Sequence, residues 1–168
     1  PIKINDDYDF IPKNLFIDFI TDILIRSIAL ILYFIAKIFL GFKITGKENL
    51  IKDRGVVTVS NHFHYIDCVH IDLITFPRKT YFPNLEENFK IPFIKHIIKL
   101  LRGVPIPKSK NGKENFYHDV INELNNNVVL HMYPERSLWP YYEKIRDLKE
   151  RTETMMKEKI NENIDIIL

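Results

Sequence analysis

Ser60-Asn61-His62-Phe63-His64-Tyr65-Ile66-Asp67 places an imidazole and a carboxylate with four residues between them, directly after a β-branched run. Across a strand-to-helix turn, that spacing lets the carboxylate accept a hydrogen bond from one imidazole nitrogen. The tautomer is then fixed and the other nitrogen is free to act as a base. An ordinary imidazole titrates near pH 6.5, so its neutral form dominates at pH 7, as general-base chemistry requires. The same spacing also fits an aspartate that caps a helix beside a surface histidine. Position decides for chemistry: residues 56–60 read as a strand buried on both faces, and open α/β sheets gather their sites at C-terminal strand ends.

The elements that must position this pair alternate between strand and helix. Gly41 ends a long N-terminal helix, and residues 42–50 read as a short strand and a turn at Gly46. After the strand at 56–60, Asp67 caps a helix carrying Val69, Ile71, Leu73 and Ile74. Residues 80–82 form a second short strand, and 88–102 have a helical pattern with Pro92 near the first turn. The prolines of residues 104–107 mark an edge strand or a loop lining the site. Phe116, Tyr117, Val120, Ile121 and Leu124 recur at helical spacing up to the stop at Asn125-Asn126-Asn127. Residues 128–133 are a buried strand ending in Pro134-Glu135-Arg136-Ser137, and a last helix covers roughly 141–161. This alternation predicts an α/β fold with a mostly parallel sheet flanked by helices.

Three ordered blocks carry a family resemblance. Asn61, His62 and Asp67 resemble the Asn-His-x4-Asp signature of the 1-acylglycerol-3-phosphate acyltransferases and their glycerolipid acyltransferase relatives. Arg102-Gly103-Val104-Pro105-Ile106-Pro107-Lys108 is similar to the second block, and Tyr133-Pro134-Glu135-Arg136-Ser137 to the third, Phe-Pro-Glu-Gly-Thr-Arg-Ser. The resemblance implies acyl transfer from acyl-CoA or acyl-carrier protein to a hydroxyl of lysophosphatidate or a related glycerol phosphate. His62 is then the base and Asp67 its orienting partner, with no covalent acyl-enzyme and no cofactor beyond the acyl co-substrate. It also implies that Asn61, Arg102, Gly103, Lys108, Glu135, Arg136 and Ser137 bind the acceptor. The third block lacks the Gly-Thr pair, and Lys144 or Arg146 could replace its arginine. No counterpart of the family's fourth block follows Leu148. The expectation is therefore a membrane-associating helical segment at 1–42 and an acyltransferase domain at 43–168, shortened or lacking a C-terminal segment.

The charge pattern bears on partners. With 24 Lys and Arg against 22 Asp and Glu, the chain has no whole-molecule positive field for nucleic acid. Its single cysteine, Cys68, rules out an internal disulfide and points to a reducing compartment; Asp67 beside it disfavours the thiolate. In the apolar region 15–42, Asp18, Asp22, Arg26 and Lys37 leave an uncharged core of ten residues, 27–36. A span needs about 20 apolar residues, so a helix lying in the interface at the cytoplasmic face fits better, with a buried core helix as the other reading. Acidic Asp6, Asp7 and Asp9 argue against a secretory leader. Seven Lys and Arg between 88 and 113, with no Asp or Glu, add a lipid-facing charge. The competing chemistry is a metal hydrolase. His62, His64 and Asp67 resemble, one residue out of register, the zinc signature of the metallo-β-lactamase fold, with His70, His96, His118 or His131 to complete it. A non-catalytic, membrane-binding relative of the acyltransferases is the third reading.

Overall fold

A computed structural model describes residues 4, 8, 14–62, 64–135 and 165–167. Helix α1 (Leu15–Leu40) starts where the Asn14 side chain accepts the N–H groups of Phe16 and Ile17, and ends at Gly41, whose φ of 65° suits a residue without a Cβ. Strand β1 (Val56–Val59) leads through the His62 turn into α2 (Asp67–Thr75). Then come β2 (Thr80–Leu85), α3 (Ile94–Leu100), β3 (Gly103–Ile106), α4 (Lys110–Leu124), β4 (Val129–Met132) and β5 (Asp165–Ile167).

The five strands form one sheet in the order β3-β2-β4-β1-β5, and every pairing is parallel. Passing from β1 to β2 the chain skips over β4, and from β3 to β4 it skips back over β2. Right-handed crossovers in opposite directions place α2 and α4 on opposite faces. Side-chain alternation agrees. Val57, Val59, Tyr81, Val104, Leu130 and Met132 pack with Phe116, Val120 and Leu124 of α4. The other parity faces α2 and mixes apolar Val56, Phe82 and Val129 with polar Thr58, Thr80 and His131, Thr80 Oγ1 lying 2.6 Å from Thr75 Oγ1.

α1 lies along the domain on the α2 side. Its inner stripe, Asp18, Asp22, Ile25, Arg26, Ala29 and Ala36, follows helical spacing, and Ile25, Ala29 and Ala36 are buried. Asp18 pairs with Lys79, Asp22 with Arg102, and Arg26 donates to the Pro77 carbonyl at 2.8 Å. Residues 15–39 have a mean hydropathy of 2.0 and are long and apolar enough, by length and composition alone, to cross a bilayer. Three of the four charges that interrupt this stretch are thus held by the domain.

Several expectations change. The helix foreseen over 88–102 is broken into a 3-10 turn, Glu86–Lys90, and α3. Pro92 offers no N–H, and Ile94 N–H donates to the Pro92 carbonyl at 2.7 Å across Phe93, whose φ of 63° and ψ of −49° describe a strained γ-turn. The strand foreseen near 42–45 is absent; Gly46 instead leads a 3-10 turn, Lys47–Asn49. β2 runs on to Leu85, and its Pro83 is tolerated because β4 pairs only with Thr80 and Tyr81. β5, which adds to the free edge of β1, was not foreseen; the helix expected over 141–161 lies outside the described residues.

Candidate functional site

Parallel pairing of β1 with β4 brings the first and third sequence blocks together. Val59 is in register with Met132, and Ser60 N–H donates to the Met132 carbonyl at 3.3 Å, so both strands end side by side. From one exit come Asn61 and His62; from the other, Tyr133, Pro134 and Glu135. Asp67 opens α2 and turns back toward them.

His62 Nδ1 lies 3.0 Å from Asp67 Oδ2. The same oxygen accepts the His64 N–H at 2.9 Å, so the carboxylate is fixed from two sides, and Asp67 is buried. A carboxylate at Nδ1 holds the proton there, so Nε2 carries the free lone pair. The His62 side chain keeps 24% of its surface exposed. The His62 backbone N–H donates to Glu135 Oε2 at 3.3 Å. Glu135 is only 5% exposed, and its Oε1 has no hydrogen-bond partner among the described residues. The ring of Tyr133 stacks on the His62 imidazole, centroids 4.1 Å apart and planes 21° from parallel.

Behind this pair sits a second histidine. His131 is buried, with Nδ1 2.8 Å from Thr58 Oγ1 and Nε2 3.1 Å from Ser60 Oγ. Ser60 Oγ–H donates to the Asn61 carbonyl at 3.0 Å. Its oxygen must then accept from His131 Nε2–H, while Nδ1 accepts from Thr58. Burial, aided by neighbouring His62, pushes the His131 imidazole down to about 3, so it is neutral and serves as a fixed prop beneath the turn. Cys68 is pushed up to about 11, first by burial and then by Asp67, as a packed thiol should be.

The other expected residues fall elsewhere. Arg102 is 5% exposed and is clasped by Asp22 and Asp72, the latter at 3.5 Å, so its guanidinium is taken up inside the domain rather than offered to an anion. Gly103 is required by packing: a Cβ there would run into the Ile98 side chain and come within 2.9 Å of its carbonyl oxygen. Lys108 is exposed and paired with exposed Glu87, and Lys90 with Glu86, so acids just outside the basic stretch offset part of it. Asn61 is half-buried at the β1 exit. Arg136, Ser137, Lys144 and Arg146 lie outside the described residues. His64 Nδ1 accepts the Ile66 N–H at 3.3 Å, and among the described residues no three His, Cys, Asp or Glu side chains converge as a metal site. A cavity of about 350 Å³ lies between α1 and α2, floored by Ala29, Leu73 and Phe76, and none of His62, Asp67 or Glu135 lines it.

The sequence offers His131 only as a candidate metal ligand and Tyr133 only as the first residue of the third block, with no role beside His62 for either. The signal was the strand period. Residues 131 and 133 share a face with 58 and 60 of the neighbouring strand, so a polar residue at each of the four predicts one cluster.

The parallel α/β sheet thus carries a histidine paired with a buried carboxylate after the end of β1, beside the exit of β4. A family model described as Acyltransferase matches residues 41–156, well over half of the chain. The chain belongs to this acyltransferase family, whose members take an acyl donor and an acceptor. No curated protein and no solved structure matches.

Proposed function

We propose that the protein moves an acyl chain from acyl-CoA or acyl-carrier protein to a hydroxyl of lysophosphatidate or a related glycerol phosphate, in phospholipid synthesis. The hydrogen bond of 3.0 Å from His62 Nδ1 to buried Asp67 carries this reading. His62 Nε2 takes the hydroxyl proton as the oxygen attacks the thioester carbonyl. As the C–S bond breaks, the imidazolium returns that proton to the departing thiolate. Asp67 stabilises the imidazolium between these steps. Glu135 Oε1, without a partner among the described residues, is suited to accept a hydrogen bond from an acceptor hydroxyl. Lys108, exposed in its pair with Glu87, and Arg136, or Lys144 or Arg146 in its stead, serve the phosphate, since Arg102 is buried between Asp22 and Asp72.

The decisive experiment follows thiol release from palmitoyl-CoA with and without lysophosphatidate. Release that depends on the acceptor, with phosphatidate as product, is the expected result. Equal release in both arms identifies a thioesterase and sinks the proposal. No release from folded protein, with palmitoyl-acyl-carrier protein also refused, leaves the non-catalytic relative.

α1 also supports a lipid surface as partner. Its inner stripe is held by the domain while Phe19, Ile31, Phe34 and Ile38 are exposed, an arrangement suited to lying in the headgroup region. The γ-turn adds Phe93, 82% exposed, between exposed Ile91 and Ile94. Ile31→Glu, at a position 60% exposed, is expected to lower partition into phospholipid vesicles by about tenfold or more while leaving the melting temperature unchanged. Unchanged partition in a sedimentation assay would remove α1 from the membrane contact.

A further inference from the structure

We infer that Tyr133 is a positioning residue that holds the His62 imidazole by its ring face and stabilises the imidazolium formed in the reaction. The inference rests on the reading of His62 as the base. Three contacts constrain His62, two of them on the imidazole: Asp67 fixes one edge at Nδ1 and the Tyr133 ring covers one face at 4.1 Å, while Glu135 holds the backbone N–H. A hydrogen bond at Nδ1 alone holds one corner of the ring and leaves it room to tilt about that contact. A parallel ring on one face removes that freedom and keeps Nε2 aimed at one point.

Tyr133 is itself immobilised. Its ring meets His131 edge-on at 4.7 Å and 74°, and His131 is locked by Thr58 and Ser60. The props run from the β1–β4 pairing, through His131 and Tyr133, to the base. An aromatic face also carries negative quadrupole density, so it attracts the imidazolium more than the neutral ring. That preference favours the charged state reached when Nε2 takes the hydroxyl proton, which is the differential stabilisation that raises kcat rather than lowering KM. The hydroxyl of Tyr133 is buried and has no partner among the described residues, so nothing described there depends on it. The ring face is the working part.

The titratable groups around His62 are Asp67, His64 and Cys68 on its own turn and α2, and His131, Tyr133 and Glu135 on β4 and its exit. His131 and Cys68 stay neutral across the range in question. Removing the ring face therefore changes one contact of the imidazole and leaves its charged neighbours in place.

The test compares wild type, Tyr133→Phe and Tyr133→Leu by following the His62 ring signal against pH by NMR, and by the pH profile of kcat. The phenylalanine variant should match wild type in both. In the leucine variant the midpoint of the His62 signal should fall by roughly half to one pH unit, because the charged form loses a partner. Its kcat should fall roughly three- to thirtyfold with KM nearly unchanged. Tyr133→Met, which fills more of the volume without a π face, serves if the leucine variant does not fold. An unmoved midpoint in a folded leucine or methionine variant overturns the proposal. So does a loss in Tyr133→Phe equal to that in Tyr133→Leu, which would assign the role to the hydroxyl. The NMR readout needs no turnover: an inactive wild type with the midpoint shift sinks acyl transfer alone, and an active one without it sinks the clamp alone.

Discussion

Asp67→Asn is expected to lower kcat by about 10³- to 10⁴-fold, His62→Ala by at least as much, and the double variant no further than His62→Ala alone. The reason is the division of labour across one ring. Oδ2 of Asp67 accepts from both His62 Nδ1 and the His64 N–H, so its negative charge fixes the tautomer and the shape of the turn together. An asparagine whose oxygen takes the place of Oδ2 can keep both hydrogen bonds, but it brings no negative charge to stabilise the imidazolium that forms when Nε2 takes the hydroxyl proton. The fold survives, and the base loses the charge that favours proton uptake. Because both side chains serve a single proton transfer, losses in their double variant do not add. Acceptor-dependent thiol release, measured with circular dichroism to confirm folding, checks all three variants. Activity of Asp67→Asn within tenfold of wild type would remove the pair from the chemistry.

The pair was legible in the sequence because its logic is local. A β-branched run, a turn and a first helical position lie within a dozen residues, and each has its own compositional mark. The α4 stripe and the stop at Gly41 were legible for the same reason. What could not be read was which strand lies beside which. Sequence order places β1 far from β4, yet their pairing is what sets Tyr133 against His62 and Glu135 against its N–H. The basic stretch misled in the opposite way. Counting charges from 88 onward missed Glu86 and Glu87 just before it, and no local pattern announces that Arg102 turns inward to carboxylates from two other helices. The strained γ-turn at Phe93 escaped too, because the helical periodicity of the apolar residues runs straight through Pro92. Periodicity reports the buried face, not the continuity of the backbone.

Arg102→Met is expected to destabilise the fold by about 3–5 kcal/mol, lowering the melting temperature by roughly 6–20 °C. Arg102 ends α3 in a left-handed conformation, φ 54°, and from there its side chain reaches Asp22 on α1 and Asp72 on α2. The two acids respond differently. Burial pushes Asp72 up despite Arg102, whereas at Asp22 burial is outweighed by Arg26 and Arg102, which hold it below the usual carboxylate range. Asp22 retains its pair with Arg26 when Arg102 is lost; Asp72 keeps the attraction of Arg26 but no salt-bridge partner among the described residues, and becomes a poorly compensated buried charge. Most of the loss therefore comes from Asp72, and Asp72→Asn in the Arg102→Met background should recover a large part of it. The pH dependence follows. An Asp72 carboxyl raised further above its unfolded value is best tolerated when protonated. Its penalty is absent below the unfolded value near 4 and grows as pH rises through the folded one. Urea unfolding at pH 7 and at pH 5 should show the deficit of Arg102→Met narrowing in the more acidic buffer. A deficit independent of pH and untouched by Asp72→Asn would mean that the arginine contributes by packing its stem, not by neutralising the carboxylate. In that case α1 would be held to the domain by the apolar contacts of Ile25, Ala29 and Ala36 together with the Asp18–Lys79 pair.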